Sequence, residues 1–398
     1  MSETKTLVVV KLKPGQEDRI RAGHLWVFSN EIAQVEGPVE PGGLVQVFTA
    51  GGESLGVAFY NPNSLIAARM LSSKVEDIDA AFFHKRFSTA LAYRQKLYPG
   101  ESSYRLAFGE SDGLPGLVAD RYDDCLVLQV FAAGMEARLP MIAQALQELL
   151  HPRGIFLKND HRQRRLEGLP GECRLLSGTV PERVAISEGG LRFWAPIGEG
   201  QKTGHYFDQR DNRAYLRPFF SGRTVLDLYC YTGAFAINAA KSGARAILAI
   251  DSSEPAVELA RENAQMNGVS ELVTCDAADA GVVLESFALG QQPFRPDMIL
   301  LDPPSFVPSK KHLSKALRSY AKLHTAALRA LPPGGLLATS TCSHHVGREA
   351  FIDMLRHSQA KARRPARLVA LRSQAADHPV LLAMPETEYL HFALLEVI

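Results

Sequence analysis

Met298-Ile299-Leu300-Leu301-Asp302-Pro303-Pro304-Ser305-Phe306 couples an apolar run of strand type to a carboxylate followed by two prolines. A second segment of the same kind lies downstream, where Leu336-Leu337-Ala338-Thr339 leads into Ser340-Thr341-Cys342-Ser343. A carboxylate with a rigid backbone and a thiol therefore come to the ends of two sequence-consecutive strands. In open α/β sheets that edge is where ligands bind.

Strand and helix alternate around these two segments from about residue 190. The spacing predicts strands over 224–229, 246–251, 272–276, 297–302 and 336–340, with helices over 233–242 and 254–267. Ser253 caps the second helix and Gly268 closes it. Such alternation specifies a parallel, doubly wound sheet. Two further strand-like runs, 368–372 and 389–397, are close enough in sequence for an antiparallel addition.

Upstream the pattern differs. Residues 1–72 read as short strands over 7–12, 44–49, 55–60 and 65–71, separated by Gly/Pro turns. An amphipathic helix over 77–98 follows, with Phe83, Phe87, Ala90, Leu91, Leu97 and Tyr98 on one face. Strands over 117–120 and 126–131 and a helix over 139–150 complete an α+β middle region. The expected domains are 1–72, 73–188 and 189–398.

With 46% hydrophobic and 22% charged residues, the composition is that of a soluble globular protein. The net charge of +1 gives no global argument for an anionic partner, but three local runs do, at 151–165, 308–324 and 356–372. Lys310, Lys311, Lys315 and Arg318 in one, and Arg162, Arg164 and Arg165 in another, are candidates for neutralising phosphates. A solvated surface is the plainer reading of any one run taken alone. Five widely spaced cysteines without a CxxC pair argue against a disulfide framework or a structural zinc site. The short apolar run at 7–10 is too brief for a signal peptide or a membrane span, so the expected location is the cytoplasm.

The first strand of the alternating region runs into Asp227-Leu228-Tyr229-Cys230-Tyr231-Thr232-Gly233-Ala234-Phe235. A single glycine there fails the GxGxxG fingerprint, which counts against a nicotinamide dehydrogenase. Asp251 and Asp276 end the next two strands, where the first can accept ribose hydroxyls and the second can meet an adenine amino group. Acids at three successive strand ends, without a phosphate-binding glycine run, fit a nucleoside lacking a polyphosphate, such as S-adenosylmethionine. Carbon 5 of a pyrimidine becomes nucleophilic only after a thiolate adds at carbon 6, a task suited to Cys342. His344, His345 and Arg348 follow it and favour the thiolate. A buried, inert strand-end cysteine is the competing reading.

Several stretches carry a family likeness: Gly23-His24-Leu25-Trp26-Val27-Phe28, Gly109-Glu110-Ser111-Asp112-Gly113-Leu114-Pro115-Gly116, Lys202-Thr203-Gly204-His205-Tyr206-Phe207-Asp208-Gln209-Arg210, Asp302-Pro303-Pro304, Thr341-Cys342-Ser343 and Gln374-Ala375-Ala376-Asp377-His378-Pro379. On these the chain resembles the bacterial large-subunit ribosomal RNA cytosine-C5 methyltransferases with an N-terminal PUA domain. The resemblance implies a β-rich PUA module, an α+β middle domain and a Rossmann-like class I methyltransferase domain with a mostly parallel seven-stranded sheet. It also implies S-adenosylmethionine as cofactor and 23S ribosomal RNA or its precursor as partner, with no membrane; a homodimer stays open. Phe207, Asp208 and Arg210 would help hold the cofactor, with Asp227, Tyr231, Gly233, Phe235, Asp251, Ser252, Asp276, Ala277, Asp302 and Pro303. Related RNA cytosine-C5 enzymes often carry a second cysteine beside the Asp-Pro-Pro motif, and none stands here.

The expected reaction is cytosine-C5 methylation, with Cys342 as nucleophile and Asp302 on the pyrimidine N3. The sequence does not identify the base that removes the C5 proton. Two rivals stay open: a uracil-C5 methyltransferase, and a non-catalytic RNA-binding assembly factor with a vestigial cofactor fold.

Overall fold

A computed structural model describes residues 7–306 and 310–398. The chain divides into two compact units. The first comprises Met1–Ile186, Ala195–Phe207 and Asp377–Thr387; the second comprises Ser187–Trp194, Asp208–Ala376 and Glu388–Ile398.

The first unit holds two sheets. Six strands pair in the order Trp26–Val27, Ala68–Ser72, Ser54–Tyr60, Gly43–Phe48, Val8–Leu12, Ile32–Glu36. Five more pair in the order Glu172–Gly178, Gly154–Asn159, Cys125–Val130, Leu117–Tyr122, Ser103–Phe108. The helix expected over 77–98 is Ala80–Leu97, started by Asp79, whose side chain accepts from the Phe82 N–H at 2.9 Å. Val57, Phe59 and Leu71 of the first sheet share one apolar cluster with Phe83, Leu106, Leu128 and Ile155. The core is therefore continuous across residue 72.

Two sequence motifs meet inside this unit. The Trp26 indole donates to Glu110 at 2.8 Å, and Arg69 bridges Glu110 and Glu167 at 3.1 and 3.2 Å. The face of Ala80–Leu97 that buries Phe83, Phe87 and Ala90 also buries Arg94. Its guanidinium donates twice to Asp112 (2.5 and 2.8 Å), and to the carbonyls of Arg105 (2.9 Å) and Asp377 (2.6 Å).

In the second unit the sheet strands are β1 (Thr224–Leu228), β2 (Ala246–Asp251), β3 (Val273–Ala277), β4 (Met298–Leu301), β5 (Leu336–Thr341), β6 (Ala366–Arg372) and β7 (His391–Val397). They lie in the order β3-β2-β1-β4-β5-β7-β6. The pairs from β3 through β5 are parallel, whereas β7 runs antiparallel to both β5 and β6. The sheet is thus mostly parallel and seven-stranded, and its one reversed strand is β7. Leu226, Leu228, Ile299, Leu301 and Leu337 are buried in its core, as expected where helices cover both faces. Strand order reverses beside β1, which opens a crevice at the carboxyl ends of β1 and β4. Among the described residues no helix is long and apolar enough to cross a membrane.

Candidate active site

Beyond β1 the chain turns through Tyr229, Tyr231 and Gly233, all at positive φ (62°, 49° and 80°). For a tyrosine such backbone costs roughly 1–3 kcal/mol and persists only where surrounding contacts enforce it. Asp251 supplies one such contact at the tip of β2. Its carboxylate accepts from the Tyr231 and Ser253 amides, each at 2.9 Å. Asp251 thereby ties the turn to the next strand and remains half-exposed. Gly233 caps the helix Ala234–Lys241, and a Cβ there would stand 3.1 Å from the Ala260 Cβ. The glycine serves packing against the helix Glu254–Met266 as well as the turn.

Asp227 lies within β1, between Ala249 of β2 and Leu300 of β4. It is buried, and its Oδ2 has no hydrogen-bond partner. Burial pushes its carboxyl well above the usual carboxylate range. Asp302 and Asp251 add to that push, while the Ala236 amide and Arg213 oppose it. An orphaned acceptor at the ligand edge of the sheet is suited to an N–H or O–H of a bound molecule.

The sign of its effect on folding follows from that shift. The unfolded chain releases the Asp227 proton near the ordinary value and the folded chain holds it to higher pH. This group therefore costs nothing below the unfolded pKa and destabilises the fold as pH rises, by about 1.4 kcal/mol per unit until the folded pKa is reached. Asp227→Asn should gain stability over the parent between pH 4 and 7 while binding cofactor less tightly. Urea unfolding at several pH values checks this; a gain that does not change with pH would count against it.

Asp302 follows β4 directly and is half-buried beside the buried Pro303. Ser340 of β5 donates to its Oδ1, and Gln209 donates to its Oδ2 at 3.1 Å and to the Ser340 hydroxyl at 3.0 Å. The phenol of Tyr320, on the helix Leu313–Ala330, grips the turn that follows. It donates to the Pro304 carbonyl and accepts from the Phe306 amide, both at 3.1 Å. Burial raises the Tyr320 pKa, with Cys342 and Asp302 among the groups pushing the same way. The thiol and the carboxylate thus lie within electrostatic reach of one ring.

His324, on the same helix, is fully buried, and burial pushes its pKa down to about 4. Its Nδ1 lies 2.7 Å from the Tyr320 carbonyl and its Nε2 lies 2.7 Å from the Thr339 hydroxyl. That hydroxyl also reaches the Leu301 carbonyl at 2.9 Å. A carbonyl only accepts, so Nδ1 carries the proton. The ring ties its helix to β5, and the Thr339 side chain joins β5 to β4 just before Asp302 and Cys342.

Cys342 directly follows β5 and is partly exposed. None of the five cysteines forms a disulfide. Burial pushes Cys125 up to about 12 and Cys275 up to about 11, and it raises Cys230 and Cys173 as well. Those four are poor sources of thiolate at neutral pH. His344, expected to act on the thiol, has its ring against Tyr389, with centroids 5.3 Å apart.

The remaining candidates fall into three groups. Ser252, Asp276 and Ala277 are exposed at the tips of β2 and β3, and Tyr231 and Phe235 are half-buried. Asp208 and Arg210 are buried, the former accepting from the Tyr389 phenol at 2.6 Å. Phe207 belongs to the first unit, where its buried ring packs on Tyr122 and His205.

Of the basic residues, Lys311, Lys315 and Arg318 are exposed at the start of Leu313–Ala330, as are Arg162 and Arg165 in the first unit. The Lys310 side chain lies outside the described residues. Arg164 corrects the expectation: it is 1% exposed and donates to Val130 O, Glu136 (3.0 Å) and Pro170 O (2.9 Å). Its burial and those bonds inside the fold leave it unable to meet a phosphate. Tyr229, Phe306, His312, Lys315 and Lys322 line an open cleft of about 460 Å³. Ser340 and Tyr320 were not foreseen as site residues, and Gln209 was expected only as part of the segment 206–210 beside the cofactor, not as a partner of Asp302. Gln209 stood inside a quoted motif and Ser340 two places before Cys342, but no pattern marked Tyr320.

Residues 10–73 match the PUA-like domain family, and residues 113–366 match the S-adenosylmethionine-dependent methyltransferase family. The chain belongs to the S-adenosylmethionine-dependent methyltransferases, and S-adenosylmethionine is its cofactor. The ribosomal RNA large subunit methyltransferase I of Shewanella denitrificans is 38% identical over 387 residues, spanning 96% of this chain and 97% of that one. The protein of the same name from Aeromonas hydrophila is 37% identical, with the same coverage. A structure described as a SAM-dependent methyltransferase from Streptococcus mutans has a TM-score of 0.84 at 21% identity, covering 98% of this chain and 100% of that one. A methyltransferase structure complexed with SAH gives 0.83 at 20% identity and the same coverage.

Proposed function

We propose that this methyltransferase acts on large-subunit ribosomal RNA and forms 5-methylcytosine. The names of its relatives support the substrate. One observation carries the chemistry: adjacent parallel strands β4 and β5, in register at Leu301 and Thr339, end in Asp302 and Cys342.

The cofactor's residues fit this reading. Asp227, with its orphaned Oδ2, and Asp251 and Asp276 at the strand tips would hold S-adenosylmethionine. When bound, it supplies an electrophilic methyl group. The target cytosine must leave its stack to expose the ring carbons. The Cys342 thiolate adds to C6, forming a C–S bond, as the C5=C6 electron pair shifts into C4=C5 and the C4=N3 pair onto N3, which takes the proton of the Asp302 carboxyl. N3 returns that proton to Asp302 as C5 takes the methyl group. After methylation, loss of the C5 proton to a base restores the double bond and expels the thiolate. Lys311, Lys315, Arg318, Arg162 and Arg165 would meet RNA phosphates.

Nucleoside analysis tests this directly. Unmodified large-subunit RNA incubated with enzyme and methyl donor should yield 5-methylcytidine on digestion. 5-Methyluridine would establish the uracil rival, and no methylated nucleoside would favour a binding role.

A further inference from the structure

A chain of hydrogen bonds in the second unit runs from β6 to Asp302 with one polarity throughout. Arg372 donates through Nε to Asn212 Oδ1 at 3.1 Å, and Asn212 donates through Nδ2 to Gln209 Oε1 at 2.8 Å. Gln209 then donates through Nε2 to Asp302 Oδ2 and to Ser340 Oγ, and Ser340 donates to Asp302 Oδ1. Asn212 and Gln209 are buried, so neither amide has water to turn toward.

An amide can sit in either of two flipped orientations, and its neighbours decide which. Arg372 only donates and the Ser373 carbonyl, which takes a second Asn212 N–H at 3.2 Å, only accepts, so together they fix the Asn212 oxygen toward Arg372 and its nitrogen toward Gln209. That in turn fixes the Gln209 oxygen toward Asn212 and its nitrogen toward Asp302. Without this bias, Gln209 could present its oxygen to a carboxylate, which repels it. Bonds to both oxygens also fix the plane of the Asp302 carboxyl.

We propose that Arg372, Asn212, Gln209 and Ser340 are positioning residues that set the orientation of Asp302 toward the base being methylated. The proposal rests on the reading of Asp302 as a group that touches that base. Asn212→Asp is the most telling variant. It keeps the shape and still receives Arg372, but it gives up the N–H to the Ser373 carbonyl, attracts the Gln209 nitrogen and turns the Gln209 oxygen toward Asp302. The relay is inverted without being emptied.

The test measures kcat and KM on unmodified large-subunit RNA, S-adenosylmethionine affinity by calorimetry, and melting temperature. Variants are Asn212→Asp, Ser340→Ala, Ser340→Thr and Asp302→Ala. Misplacing a reacting partner by about an ångström can cost up to about a hundredfold in rate. Asn212→Asp and Ser340→Ala are therefore expected to lose about tenfold or more in kcat, with cofactor affinity within about twofold of the parent. Ser340→Thr keeps the donor and should recover most of the rate. If Asp302→Ala is inactive while Asn212→Asp and Ser340→Ala keep full kcat, the positioning role is wrong and the reading of Asp302 stands. If Asp302→Ala keeps full activity, both fall. A Ser340→Thr variant as slow as Ser340→Ala, at unchanged melting temperature, also overturns the proposal.

Discussion

Cys342→Ala and Cys342→Ser should each abolish methyl transfer while cofactor affinity and melting temperature stay near those of the parent protein. Cys342 is partly exposed just beyond β5, so neither change opens a cavity in the sheet core. Serine should not rescue, because an alkoxide forms far less readily than a thiolate at neutral pH. RNA carrying 5-fluorocytosine at the target should trap the parent enzyme covalently, since fluorine does not leave as a proton does. Peptide mapping should place the crosslink on Cys342 and on no other cysteine. The raised pKa values of Cys230 and Cys275 reinforce that expectation. Full activity in Cys342→Ala, or an adduct on either of those two, would falsify the assignment.

The second large effect concerns stability rather than chemistry. Arg94→Met should lower the unfolding free energy by about 3–5 kcal/mol, the scale of breaking a buried ion pair from one side. The Arg94 side chain is fully buried, and the substitution leaves the Asp112 carboxylate its Phe108 amide but neither guanidinium bond, and strands the carbonyls of Arg105 and Asp377. Arg94→Lys should recover only part, because an ammonium cannot make the paired bonds to Asp112. Guanidinium unfolding provides the measurement; a loss below about 1 kcal/mol would mean that Asp112 finds other donors.

The second unit was legible because buried parallel strands announce themselves. All seven strands of its sheet were expected within two residues of their bounds. The first unit hid more. Ser103–Phe108 carries Arg105 at a buried position, which breaks the apolar signal, and only the fold brings Asp120 to it at 2.5 Å. Gly154–Asn159 was masked in the same way by Lys158, whose ammonium bonds Asp160 and the Gly198 carbonyl, each at 2.8 Å. Arg164 was read as surface for the same reason: a charge in a basic run looks solvated until its internal acceptors are seen. In the site, residues at strand ends could be read from sequence. Gln209 and Ser340 hydrogen-bond Asp302 across long sequence separations, contacts that emerge only when the strands are side by side.

The strand order also dictates when the protein can become competent. β7 follows β6 in sequence yet lies between β5 and β6, so β6 has no sheet partner until β7 has been made. Until then β5, which leads to Cys342, is an open edge with unpaired backbone groups, the kind that recruits other strands. Arg372 at the end of β6 is equally unplaced, and with it the bias on Asn212 and Gln209. A nascent chain folds from its N-terminal side, so strands β1 to β4 can assemble well before the edge that carries Cys342. Synthesis itself thus acts as a timer: the thiol edge closes only after residues His391–Val397 emerge.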